Sequence, residues 1–320
     1  MENETHIKKN SALPASILAS ALILAGAWLY TAESRTTSVK QEASHAANSN
    51  EVPVSALEWE VLPLKGVVLP VRLGNLGGKL ASVGALDREK FLSLYNGTDR
   101  EIARRLIDEE TDTPVLLARE NAGILLNLFW ALGLASKNPI LDFGEMTEPA
   151  YGGAGNFAST AGWTIAQGNP MEHYSRHMFF ELSPEQQALV DKVSRGIYRS
   201  CCGNSTHFPD CNHGMAMLGL LELMASQGVG EAEMWKTALA VNSYWFPDTY
   251  LTIAAYMKNK GVDWKNVSPQ EMLGADYSSA QGFARIASEV STREKAGGGS
   301  CGVNSEQQVV SQRPQNGCGV

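Results

Sequence analysis

The chain has 320 residues, 44% hydrophobic and 19% charged, with a formal net charge of −8. That length and apolar content can build a substantial core. The acidic balance includes no basic run of the kind that binds phosphate backbones, so nucleic acid is excluded as an expected partner.

Lys8 and Lys9 precede Ala15 to Ala32, an 18-residue run without a charge. It is just long enough to cross a bilayer, and the lysines favour a cytoplasmic N-terminus. Ala25-Gly26-Ala27 also matches a small-x-small signal-peptide cleavage pattern, but Trp28-Leu29-Tyr30 continues the apolar run with interfacial aromatics. The expectation is therefore residues 1–32 as a cytoplasmic stub and transmembrane anchor, with everything after Glu33 extracytoplasmic, or secreted if the segment is cleaved. Residues 33–53 read as a polar linker, and residues 291–320 as a flexible Gly/Gln-rich tail.

The body, 54–290, reads as a mainly α, helical globular domain with a short extended or β segment at Glu58 to Gly74 and a candidate sub-boundary near 140–165. Val67, Val68 and Val71 suit a strand that Pro63 and Pro70 confine to an edge. Asp87 is placed to cap a helix, and Asp99 to Glu110 carries Ile102, Leu106 and Ile107 on one face. Arg119 to Lys137 is apolar nearly all round, as in a buried helix. Asn169-Pro170, Ser183-Pro184 and Ser268-Pro269 are helix starts. Helices are expected at about 170–178, 184–198, 211–226, 230–243, 248–259 and 278–290.

Four of the six histidines and three of the five cysteines lie between His173 and His213. In a helix beginning at Pro170, His173 and His177 would share one face at metal-sharing distance, although a pair of ordinary surface histidines reads equally from the same spacing. Cys201 and Cys202 would end the helix begun at Ser183. Cys211, capped by Asp210 or Asn212, would open the next, where the helix dipole favours thiolate. His213 lies two residues on and His207 sits inside the loop. Three cysteines in an exported body leave one thiol over after any disulfide, such as Cys202 to Cys211. Three thiolates and an imidazole form a complete set for zinc, and the same donors suit Cu(I).

The expected function is a membrane-anchored extracytoplasmic protein that binds copper or zinc in trafficking or storage, more plausibly a non-enzyme. Cys201, Cys202, Cys211 and His213 are the proposed ligands, with His173, His177 and His207 secondary. Cys301 and Cys318, in near-copied Cys-Gly-Val segments, would be mobile thiols able to hand over metal, or else a disulfide pair. Expected partners are the membrane, through the N-terminal helix, and a metal donor or acceptor, or redox, protein. The alternatives are a thiol-disulfide oxidoreductase using Cys211 with Cys202 or a tail cysteine, and a disulfide-stapled scaffold. Gly74 to Leu80 lacks the Ser/Thr of a phosphate loop, and Gly153 to Ala158 lacks the preceding strand of a dinucleotide fingerprint. No CxxC occurs. Ile197 to Gly228 resembles the cysteine-rich segment of small exported bacterial proteins named for a PCYCGC motif, in its clustered cysteines, downstream histidine and Asp-Cys pair. It departs from them at the Cys-x-Cys spacing, and the likeness implies no activity.

Overall fold

The computed structural model describes residues 54–297, so the apolar run at 15–32, the linker, Cys301 and Cys318 lie outside the described residues. The chain divides at Val52/Pro53, and every described residue belongs to the second unit. Among the described residues no helix is long and apolar enough to cross a membrane.

Helix α1 (Val54–Val61) leads into strand β1 (Val67–Gly74), followed by α2 (Leu76–Ser82), α3 (Arg88–Ser93), α4 (Gly97–Asp108) and strand β2 (Thr111–Leu117). The strands pair antiparallel, with Val67 opposite Leu117 and Arg72 opposite Pro114. A two-stranded sheet has only edges, which is why it tolerates Pro70 and Pro114. The expected extended segment is thus shorter than Glu58 to Gly74, because Glu58 to Val61 complete a helix turn. Its partner β2 has no apolar alternation, only buried Val115 and Leu117. Asp87 caps α3 by accepting from the Lys90 amide at 3.0 Å.

The core is built on α5 (Ala122–Ala135), followed by the short α6 (Pro139–Phe143) and α7 (Ala158–Ala161), then α8 (Pro184–Arg195) and α9 (Asn212–Ser226). Helices α5 and α9 are apolar all round, as central elements must be, and they cross with backbone against backbone. A Cβ on Gly133 would lie 1.9 Å from the Met215 carbonyl oxygen, and one on Gly219 would lie 2.6 Å from the Phe129 carbonyl oxygen. Met215 is fully buried at this crossing. The segment 140–165 is a chain of short helical turns.

One carboxyl is buried in α9. Glu222 accepts from Asn138 Nδ2 at 2.8 Å, and burial, partly offset by bonds from Ser136 and Asn138, pushes its pKa up to about 8. The folded protein therefore holds a proton that the unfolded chain releases above its ordinary carboxyl range. This contribution to stability is complete below that range and is lost as pH rises toward about 8, at roughly 1.4 kcal/mol per pH unit. Glu222→Gln is expected to remove that slope, so urea midpoints of variant and parent taken at about pH 5 and about pH 8 should diverge with rising pH. Parallel curves would show that Glu222 is already ionised.

The remaining helices are α10 (Glu231–Trp245), α11 (Pro247–Asn259), α12 (Pro269–Leu273), α13 (Ala275–Ser278) and α14 (Ala280–Gly297). Ser183 forms a full capping box with Gln186, and Ser268 accepts from the Glu271 amide. Two expected helices are corrected. Asn169 caps only a single turn, Pro170–Glu172, because Ser175 turns the chain at φ 52°. Helix α8 ends at Arg195 rather than near 198, where the chain leaves the helix to carry Arg199 inward.

Candidate metal centre

Cys201 and Cys202 lie at the tip of an irregular loop, Gly196 to Asp210, and not at a helix end. The Cys202 amide donates to the Arg199 carbonyl at 3.3 Å, and the Cys202 carbonyl accepts from the Ala280 amide at 3.0 Å. The resulting turn supplies the bend that adjacent cysteines need to approach a common point. Cys211 is the N-cap of α9 itself, one residue earlier than a first-turn position. Neither expected capping side chain serves there. Asp210 is drawn off by Arg199 Nη2 at 2.7 Å and by Asn204 Nδ2 at 2.9 Å, while Asn212 Oδ1 accepts from the next amide, that of His213.

The Cys201 and Cys211 sulfurs stand 3.6 Å apart. A ring nitrogen of His213 joins them, with all three atoms within 4.8 Å of one another, and Cys202, Asp210 and Cys211 form a second such group. All four expected primary ligands therefore meet around Cys211. Cys211 is buried, Cys201 is exposed, and Cys202 and His213 are half-buried, so the cluster has a closed floor and an open mouth. The His213 ring lies 4.3 Å from that of Phe246, centroid to centroid, and its Nδ1 is buried without a protein partner.

Arg199 was not visible as a functional residue in the sequence. It is buried to 1% exposure and its Nε donates to the Cys211 sulfur at 3.2 Å. Its Nη1 has no partner. The guanidinium fits only because residue 214 is glycine, since a Cβ there would lie 2.6 Å from Arg199 Cζ. A fixed cation beside a helix N-terminus requires a nearby anion, which Cys211 and Asp210 supply. Hydrogen bonds from the Cys201 and Cys202 thiols, with the Arg199 charge and a bond from His213, hold Cys211 well below the ordinary thiol range despite its burial. Cys201 is pushed up by its interactions with the Cys202 and Cys211 sulfurs and by burial. Cys202 is also raised; the bond from Cys201 lowers it, but donation to Cys211 and burial prevail. Of the three, Cys211 is the one whose thiolate form is favoured.

The three secondary histidines do not join this cluster. His207 is committed to two carboxylates, Nδ1 to Glu145 at 2.7 Å and Nε2 to Asp191 at 2.9 Å, so neither nitrogen is free for a shared ion. His173 and His177 form their own pair, with Nδ1 and Nε2 3.2 Å apart. The glycine-rich loop from Tyr151 to Trp163 walls the cysteine loop. Its Ser159 amide donates to the Asp210 carbonyl at 3.0 Å, and Tyr151 and Phe157 pack against Phe208. No family model, curated protein or solved structure matches the chain.

Proposed function

We propose that the protein binds a thiophilic metal ion, copper(I) or zinc, through Cys201, Cys202, Cys211 and His213, in a trafficking or storage role on the extracytoplasmic side of a membrane reached through its N-terminal segment. The observation that carries this reading is the 3.6 Å separation of the Cys201 and Cys211 sulfurs beside an imidazole nitrogen. A disulfide would need about 2.05 Å, whereas two sulfurs bound to one ion at about 2.3 Å span a tetrahedral edge of about 3.8 Å. Cys211, whose thiolate form Arg199 favours, would give an incoming cation its first anionic ligand, and the exposed Cys201 would give it a way in. A ring nitrogen of His213 beside the Cys201 and Cys211 sulfurs completes the donors.

Element analysis of the full chain tests this. About one copper or zinc ion per chain is expected, lost in a Cys211→Ser, His213→Ala variant. Metal-free protein carrying a readily reduced Cys201–Cys211 or Cys202–Cys211 disulfide would overturn it and favour thiol-disulfide exchange. That second reading has its own support in the Arg199-held thiolate. Cys211 would attack a substrate disulfide, a neighbouring thiol would resolve the mixed disulfide, and the substrate would leave as two thiols.

A further inference from the structure

His173 and His177 were expected on one helix face, yet the structure brings them together without a helix, and the framework that does so is unusually complete. The His173 backbone follows the single turn after Asn169. Its buried ring is backed by Gly84 at φ +78°, where a Cβ would lie 3.3 Å from His173 Cε1. Ser175, at φ 52° and anchored by its amide to the Leu134 carbonyl, then reverses the chain. The His177 amide donates to the Ala135 carbonyl at 2.8 Å, and its own carbonyl accepts from the Lys137 amide at 2.9 Å. The chain between the two histidines is thereby anchored to the end of α5.

Their ring nitrogens are defined by chemistry. The Gln167 carbonyl lies 2.8 Å from His173 Nε2 and can only accept, so Nε2 carries the proton and Nδ1 presents a lone pair. That lone pair faces His177 Nε2 at 3.2 Å. Two imidazoles bound to one ion at about 2.05 Å span a tetrahedral edge of about 3.3 Å. A ligating histidine whose second nitrogen donates to a backbone carbonyl is also the usual outer-shell arrangement of a metal site.

We infer that His173 Nδ1 and His177 Nε2 form a second metal site, separate from the thiols, which takes a borderline divalent cation such as nickel(II), copper(II) or zinc with water in its other positions. No third His, Cys, Asp or Glu among the described residues shares their space, so the site is open and its ion exchanges readily. Binding asks only that His177 move its ring proton from Nε2 to Nδ1, and no proton leaves the pair. The two sites divide by softness, with sulfur for soft ions and nitrogen for borderline ones. This inference stands whether or not the thiol cluster binds metal.

The test is nickel(II) chloride titrated into the full chain, followed by histidine ring NMR. The His173 and His177 ring signals should broaden first, with His207 unaffected. His173→Gln and His177→Gln should each weaken nickel binding at least about tenfold, the loss that even an outer-shell change produces. Cys201→Ser, Cys202→Ser, Cys211→Ser protein should keep the site. Unchanged His173 and His177 signals at saturating nickel, or binding that disappears with the cysteines, would overturn the inference. The parent spectra decide the matter if a histidine variant fails to fold.

Discussion

Arg199→Met is expected to lower the stability of the body by about 3–5 kcal/mol, the usual cost of removing one partner from a buried ionic cluster. Methionine fills much of the space but leaves the Asp210 carboxylate with only Asn204 and the Cys202 thiol, and Cys211 without its cation. A second readout separates charge from packing. Because the folded Cys211 pKa is depressed, its contribution to stability is present above the ordinary thiol range and is lost as pH falls through the lowered value. Removing Arg199 should shrink that pH-dependent part and reduce the thiolate absorbance of the folded protein near neutral pH. A variant with the parent's unfolding midpoint and thiol titration would show that Cys201 and Cys202 alone hold the thiolate.

The second large effect concerns the frame that carries the site. Gly133→Ala is expected to cost about 3 kcal/mol or more, because its methyl carbon would sit 1.9 Å from the Met215 carbonyl oxygen and must force α5 and α9 apart. A control lies in the same helix. Nothing stands within 4 Å of a Cβ at Gly123, so Gly123→Ala should leave stability equal or raise it by up to about 1 kcal/mol. Thermal unfolding of the two variants against the parent decides this, and similar midpoints for both would mean the helices do not meet through backbone. Since α9 presents Cys211 at its N-cap and Gly214 beneath Arg199, parting the helices should also loosen the guanidinium.

The helices were legible where local chemistry is strong. The Ser183-Pro184 and Ser268-Pro269 caps, and the apolar run in α5, each leave a signal within a few residues. Strand β2 left none, because TDTPVLL becomes a strand only by pairing with β1 across three intervening helices. The cysteine cluster was legible as residue types, and the structure brings its four members together. The roles of the surrounding residues were not. Arg199 reads like any surface arginine, and only the slot at Gly214 places it inside. His207 has the composition of a ligand, but Glu145 and Asp191 reach it from distant positions. The His173/His177 pair met for a reason other than helical spacing.

The cysteine loop also bears on the order of assembly. Cys201, Cys202, Cys211 and His213 fall within 13 consecutive residues, so closing that loop costs little chain entropy and needs no distant element. An ion could therefore gather these donors while the rest of the chain is still extended, and its binding energy would then favour the start of α9. Arg199 enters its slot only once the first turn of α9, which carries Gly214, has formed. If the cluster binds metal as proposed, loading and folding would be a single process for the newly made chain, whereas loading a finished, empty protein would proceed through the exposed Cys201.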